Sequence, residues 1–297
     1  MIAKSDVLEF LDNLPKGVAK LIVTSPPYNM GKAYERRVGF EEYLRWQEEV
    51  AKGCVAALHP RGSLCWEVGN YVHKGEVFPL DIPFYEIFKK QRLKLRNRIV
   101  WHFGHGLHAK RRLSGRYETI LWFTKGDDYT FNLDPVRVRQ KYPGKRYYKG
   151  PNKDKPSGNR RGGNPSDFLT TVEQDWEREI WDIPNVKANH PEKTIHPSQF
   201  PVELVQRLIL ALTNPRDTVL DPFVGVGTSL IAAVISERKG IGVDKEKRYT
   251  DLAYSRVIKA MKGRLSIRPL GRPIYEPRGT ERVSRVPPEW KEERERS

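Results

Sequence analysis

Apolar and polar positions along the chain fall into two alternating periodicities. Val7, Leu8, Phe10, Leu11 and Leu14 recur at helical spacing, and Pro15-Lys16-Gly17 ends that run. Ala19 to Val23 is a short apolar run, the pattern of a buried strand. Phe40, Tyr43, Leu44, Val50, Ala51, Val55 and Leu58 again follow a helical period, which predicts a helix ending at Pro60. Ser63 to Val68 predicts a strand, and Ile82, Phe84, Tyr85, Ile87 and Phe88 predict a helix after Asp81-Ile82-Pro83. Leu95 to Phe103 and Glu118 to Thr124 predict two more strands around a basic, Gly- and His-rich loop, 104–116. Such alternation is the signature of a wound α/β sheet.

The pattern breaks between about Asp127 and Pro191. Residues 137–161 are dense in Lys, Arg, Gly and Pro, with Tyr142, Tyr147 and Tyr148 interleaved and almost no apolar period. Alternation then resumes. His196 to Pro201 opens a helix with Val202, Leu204, Val205, Leu208, Ile209 and Leu212 on its apolar side. Asp217 to Thr228 predicts strand and Gly-rich turn, followed by a helix from Ser229 to Glu237. Gly240 to Val243 predicts a strand ending at Asp244, and 247–261 a last helix. The expected organisation is one α/β domain in two halves, 1–126 and 191–264, with a basic insert at 127–190. An extended or disordered tail at 265–297 completes it.

Charge adds a partner to this frame. Lys and Arg number 53 against 37 Asp and Glu, a net charge of +16, which points to a polyanionic partner such as nucleic acid, with a generally basic surface an equal alternative on charge alone. Interleaved tyrosines suit contact with phosphates and bases, although a basic linker has the same composition. Cys54 and Cys65 have neither Cys-x-x-Cys spacing nor a preceding proline, and they read as small core residues. No apolar run reaches the roughly 18 residues needed to span a bilayer, and 1–14 lacks the form of a signal peptide. The expectation is a cytoplasmic protein without membrane contact.

Two stretches carry candidate chemistry. At the end of the first strand stand Thr24-Ser25-Pro26-Pro27-Tyr28-Asn29. Two prolines remove two backbone donors and fix φ, leaving a stiff turn with spare carbonyls beside an aromatic ring. That turn could hold a flat, amine-bearing group, or be a plain turn or polyproline-type ligand. In the second stretch, Gly225 and Gly227 let the backbone approach a ligand, and a helix N-terminus follows. Asp244 closes the next strand, placed to accept from a ribose diol. Leu230 occupies the third glycine position of the dinucleotide fingerprint, so the pattern is a different nucleotide-type loop.

Together these stretches resemble the beta group of DNA amino-methyltransferases, which methylate an exocyclic base amine from S-adenosylmethionine (SAM). Ser25, Pro26, Pro27 and Tyr28 look like the family's catalytic motif. Asp221, Pro222, Phe223, Gly225, Gly227 and Thr228 look like its SAM loop, with Asp244 beyond it. His196, Ser198, Gln199 and Phe200 look like the segment enclosing the methionine end of SAM. Arg116 to Ile120 resembles the motif that walls the base pocket. The order, catalytic motif, basic region, then SAM loop, matches that group and differs from release-factor and ribosomal-RNA methyltransferases. The resemblance covers about residues 5–262. It implies a Rossmann-like sheet with helices on both faces and the insert as target-recognition region.

The resemblance also implies a mechanism. Ser25 and the Pro26 carbonyl would hold the amine, and Tyr28 would stack on a flipped base. Asn29, Tyr117, Arg137, Arg139, Lys141, Lys145, Arg146, Tyr147, Arg160 and Arg161 are the candidate base-pocket or DNA contacts. Serine at the first motif position goes in the family with cytosine N4, and aspartate with adenine N6. The expectation is N4-cytosine methylation of duplex DNA beside a restriction endonuclease, by a monomer or homodimer. N6-adenine methylation, RNA methylation and a non-catalytic nucleic-acid-binding protein on the same fold stay open. His102, His105 and His108 complete no metal-ligand pattern, so no metal is expected.

Overall fold

The protein, seen in a computed structural model, is described over residues 1–32, 35–103, 108–138, 142–169, 183–187 and 190–272. Its elements in chain order are β1 (Ile2–Lys4), α1 (Val7–Asp12), β2 (Ala19–Thr24), α2 (Phe40–Ala57), β3 (Leu58–Val68), β4 (Asn70–His73), β5 (Glu76–Pro79) and α3 (Asp81–Lys90). There follow β6 (Lys94–His102), β7 (Tyr117–Thr124), a 3₁₀ turn (Asp134–Val136), β8 (Phe168–Leu169), α4 (Val202–Leu212), β9 (Thr218–Asp221), α5 (Thr228–Ile235), β10 (Lys239–Asp244) and α6 (Lys247–Met261).

Eight strands form one sheet in the order β1-β10-β9-β2-β3-β7-β6-β8. From β1 to β3 every pair is parallel, and β7 is antiparallel to both neighbours. Strand residues alternate between two cores, as a period of two requires. Ile22, Leu64, Trp66, Leu121, Phe123 and Leu220 pack under α1, α2 and α3. Leu21, Val23, Cys65, Ile120, Trp122 and Val219 pack under α4, with α5 and α6 beside it. The sheet therefore carries helices on both faces. From β2 the chain winds one way through α2 to β3, and from β9 the other way through α5 to β10. The carboxyl ends of β2 and β9 thus lie side by side at a topological switch point, where open α/β sheets bind ligands.

Several elements differ from the sequence expectation. Pro60 does not end the helix: α2 stops at Ala57 and Pro60 lies inside β3. The β2–β3 register jumps from Ala19–Leu58 to Leu21–Ser63, so His59 to Gly62 bulge out, which suits a residue without an N–H. Three-residue β1 is too short to give a period, yet it completes the sheet edge on β10. The β4–β5 hairpin turns on Lys74 and Gly75, both with positive φ, the geometry of a tight two-residue hairpin loop. The basic insert holds isolated bridges, Val138 to Gly163 and Arg146 to Pro156, where it is described.

The segment expected to begin a loose tail is anchored instead. Arg268 is only 7 % exposed and its guanidinium meets the Glu203 carboxylate of α4. The Arg268 backbone N–H donates to Glu192 Oε1 at 3.0 Å, while Val202 N–H donates to Glu192 Oε2 at 2.9 Å. Leu265 and Ile267 pack on the α4 core. Ion pairing and burial, invisible to a composition-based reading, hold this segment.

Candidate active site

One buried hydrogen bond joins the two candidate stretches. Thr24 Oγ1, at the end of β2, donates to Asp221 Oδ1, at the end of β9, at 2.6 Å across 197 residues of chain. Asp221 also accepts from Ser229 Oγ at 2.5 Å and Phe223 N–H at 3.0 Å. Burial pushes its carboxyl up to about 6, against the pull of these three bonds. Its oxygens are committed to bracing the loop. Gly227 has a parallel role: its φ is +84°, and an added Cβ would lie 3.0 Å from Ala253 Cβ, so it seats the loop on α6.

Above this brace lies a cavity of about 1150 Å³. Pro222, Phe223, Gly225, Thr228 and Asp244 line one end of it. Gly225 has φ +48°, and its N–H donates to Asp244 Oδ2 at 3.1 Å, which aims that carboxylate across the loop. Burial raises the Asp244 carboxyl, while backbone donors at Glu246 and Gly225 oppose this. Thr228 Oγ1 is buried with no partner among the described residues, a polar atom left over at the start of α5. Ser5 and Asp6 line the same end, and Ser5 N–H donates to the Asp244 carbonyl at 3.3 Å. These neighbours from the N-terminal segment escaped the sequence reading, because Asp6 carries an ordinary cap signature for α1. An acid at a strand end, a close-approach glycine and an unspent hydroxyl fit a nucleoside-bearing cofactor.

His196, Ser198, Gln199 and Phe200 form the adjoining wall. Burial brings the His196 imidazole down to about 4, so it is neutral near pH 7. Its ring packs edge-on to Tyr249 at 4.6 Å, and Nδ1 pairs with the Ser198 carbonyl. The Gln199 amide is spent on the fold: Oε1 accepts from Thr194 Oγ1 at 3.0 Å and Nε2 donates to the Glu192 carbonyl at 2.9 Å. Lys32 reaches across from the loop after Tyr28 to donate to Ser198 Oγ.

Ser25, Pro26, Pro27 and Tyr28 line the same cavity, beside the loop that follows β9. Ser25 Oγ and Tyr28 OH are 3.0 Å apart. The Pro27 carbonyl, expected to be spare, accepts from Tyr43 OH at 2.9 Å, whereas no bond to the Pro26 carbonyl occurs among the described residues. Burial, then the neighbouring acids Glu118 and Glu67, hold the Tyr28 phenol well above its usual range, so it stays protonated. Asn29 lies at φ +58° with both amide groups on the Val38 backbone, at 2.8 and 2.9 Å. It lines the cavity but works as a loop clamp, and Glu35 caps Asn29 N–H and Met30 N–H at 2.9 and 2.8 Å.

Glu67 is the main residue the sequence reading left out of the site, and Glu118 entered it only as part of the motif Arg116 to Ile120. Glu67 is the last residue but one of β3 and Glu118 the second of β7; both line the cavity. Glu67 pairs with Ile120, so Glu118, two residues away, shares its face of the sheet. A Cβ at Gly69 would fall 3.2 Å from the Tyr28 ring and 3.3 Å from Glu118 Oε1, so any larger residue there would push against both groups. The available signal was a lone carboxylate in the apolar run Leu64-Cys65-Trp66-Glu67-Val68.

The expected DNA contacts divide. Tyr117 is exposed at the cavity rim. Lys145, Tyr147 and Arg160 are exposed on the insert. Arg137 is tied to Asp134 at 2.7 Å and to the Gly162 carbonyl at 3.0 Å, and Arg161 to Asp134 at 2.5 Å. Arg146 bonds the Asp154 carbonyl. These pairings make Arg137 a brace of the insert. Arg139, Lys141 and His105 lie outside the described residues. Among the described residues no cluster of His, Cys, Asp or Glu could hold a metal ion.

Comparison with known proteins follows the same lines. The family model described as DNA methylase, of the N6/N4 methyltransferase type, matches residues 19–255. The Type II methyltransferase M.BglII of Bacillus subtilis is 45% identical over 85% of this chain and 67% of its own length. The DNA adenine methyltransferase YhdJ of Escherichia coli K12 is 31% identical over 86% of this chain and 82% of its own. Among solved structures, a putative DNA modification methylase of Thermus thermophilus, complexed with SAM, superposes with a TM-score of 0.60 and 26% identity, over 88% of this chain and 96% of that one. The cytosine-N4-specific PvuII DNA methyltransferase shares the fold at 20% identity, with a TM-score of 0.63 over 89% of this chain and 92% of that one. By motif, sheet and site, the chain belongs to the beta group of the N6/N4 DNA methylase family.

Proposed function

We propose that this chain transfers a methyl group from SAM to the exocyclic N4 amine of cytosine in duplex DNA. The observation that carries the reading is Ser25, held beside the cofactor end of the cavity by the Thr24–Asp221 bond. SAM supplies an electrophilic methyl group. Asp244, Thr228, Gly225, Phe223 and the wall from His196 to Phe200 would hold it. The protein's own work is positioning. A conjugated amine is a poor nucleophile, and acceptors at Ser25 Oγ and the Pro26 carbonyl would fix its N–H groups and turn its lone pair toward the methyl group. Placement of this kind can be worth about 7–11 kcal/mol of barrier. As the N–C bond forms, the bond from the methyl carbon to the SAM sulfur breaks with its electron pair going to sulfur, and the amine's lost proton passes to solvent by way of the hydrogen bond that Ser25 Oγ accepts. Tyr28, kept neutral by burial, offers a flat ring to a flipped base. Lys145, Tyr147 and Arg160 would contact the DNA backbone from the insert.

N6-adenine transfer is the second reading, favoured by the 31% identity to an adenine methyltransferase. Both amines adjoin an acceptor ring nitrogen, and the same acceptors serve both. Resemblance to a Type II enzyme supports a role beside a restriction endonuclease. The test uses tritiated SAM with PCR-amplified genomic DNA, which carries no prior methylation, followed by nuclease digestion and separation of the methylated nucleosides. Label in N4-methylcytosine supports the first reading, and label in N6-methyladenine replaces it with the second. Absence of label in either overturns both.

A further inference from the structure

Glu67 is 4 % exposed, lines the cavity, and has an Oε1 with no partner among the described residues. A buried carboxyl oxygen left unpaired is costly, so such an atom commonly has a ligand to meet. Its surroundings set its protonation. Ser25 and Tyr28 face it from the turn after β2, Glu118 from β7, and Tyr43 of α2 stands behind Tyr28. Burial raises the carboxyl well above the usual carboxylate range, and the Glu118 charge and hydrogen bond raise it further. Hydrogen bonds with Ser25 and Tyr28 oppose this. Two acids on one face of the sheet do not both ionise readily, and the deeper one keeps the proton.

A protonated carboxyl is a donor, and Ser25, an amine acceptor, belongs to the same cluster. Cytosine and adenine present just this pair on their Watson–Crick edge: an amine, and an unprotonated ring nitrogen on the same carbon. Thymine and guanine present a ring N–H there. We propose that Glu67 is a specificity-determining group, donating its O–H from Oε1 to the ring nitrogen beside the target amine. This rests on the amino-methyltransferase reading above. A base with a ring N–H at that position would put donor against donor in a dry site and be refused.

The experiment measures methyl transfer to PCR-amplified genomic DNA from pH 6 to 10 for the wild type, Glu67→Gln and Glu67→Ala, with SAM affinity by calorimetry. A raised carboxyl donates below its folded pKa and loses the proton as pH rises through it, so the wild type loses activity on the alkaline side. Glu67→Gln keeps a donor that does not titrate there: its rate falls less than about tenfold, and that alkaline loss disappears. Glu67→Ala falls about a hundredfold, the scale of one unmade bond in a buried site. Glu118→Gln, at a less buried position, keeps the test open if Glu67→Ala does not fold. Removing the neighbouring charge moves the alkaline loss to lower pH. The proposal is overturned if Glu67→Gln is as inactive as Glu67→Ala, or if the alkaline loss persists in Glu67→Gln. An unmoved profile in Glu118→Gln also overturns it. A wild type without activity would instead sink the functional reading itself.

Discussion

Replacing Thr24 by valine removes one hydroxyl and keeps the side chain's shape. Thr24 is fully buried, and its hydroxyl donates the 2.6 Å bond to Asp221. A hydrogen bond to a buried charged group contributes about 1.5–3 kcal/mol, and the extra methyl returns about 0.8 kcal/mol through burial. The expected loss is about 1–2 kcal/mol at pH 8, which for a domain of this size is roughly 2–8 °C in Tm. The loss depends on pH, and its sign follows from Asp221. The Thr24 hydroxyl favours the ionised carboxylate, so valine raises a folded pKa that already stands at about 6. Above that value the wild type keeps its ionised, bonded carboxylate and the variant is destabilised. Below it both proteins carry a protonated Asp221 and the difference shrinks. Thermal unfolding of both proteins at pH 5 and pH 8 measures this. A stability difference that is the same at both pH values would refute the argument, because the hydroxyl would then not act through the Asp221 charge.

Ser25→Ala is expected to slow methyl transfer at least about tenfold, the scale of a lost hydrogen bond, while leaving SAM affinity within about twofold; stopped-flow and calorimetry separate the two, and equal loss of both would make Ser25 a folding residue. Gly227→Ala meets both a positive φ and Ala253, so it should cost about 1–3 kcal/mol in urea unfolding and weaken SAM binding. Arg268→Met removes one of the two guanidinium partners of buried Glu203, Arg207 remaining at 2.9 Å, and should cost about 1.5–3 kcal/mol, with activity following stability and not DNA affinity. Lys145→Ala and Arg160→Ala should each reduce the salt slope of DNA binding by about one, whereas Arg137→Ala should lower Tm, since Arg137 is spent on Asp134.

What the sequence made legible was set by where the physics is local. The helix at 247–261 has the same bounds in sequence and structure, because its apolar period is uninterrupted. The glycine at 225 and the acid at 244 stand out because each answers a backbone or strand-end requirement written in neighbouring residues. β1 was missed because three residues cannot show a period; its place comes from pairing with β10. The anchoring of 265–272 was missed because it depends on Glu192 and Glu203, far away in sequence. Asn29 and Gln199 looked like ligand-facing amides, and only the folded arrangement reveals that the Val38 backbone, the Thr194 hydroxyl and the Glu192 carbonyl already occupy them. Glu67 looked like one charge in a strand until the antiparallel register brought Glu118 beside it.

The central bond between β2 and β9 has a topological consequence. Everything the cavity needs depends on which strands are neighbours, and nothing in it depends on which was made first. α6 packs against β1, so the last helix among the described residues and the first strand are already adjacent. A chain opened within the basic insert and joined between α6 and β1 would keep every strand pairing and the Thr24–Asp221 bond. It would then read the glycine loop before the Ser-Pro-Pro-Tyr turn. Motif order in such sheets records where a gene was cut, and the chemistry is indifferent to it.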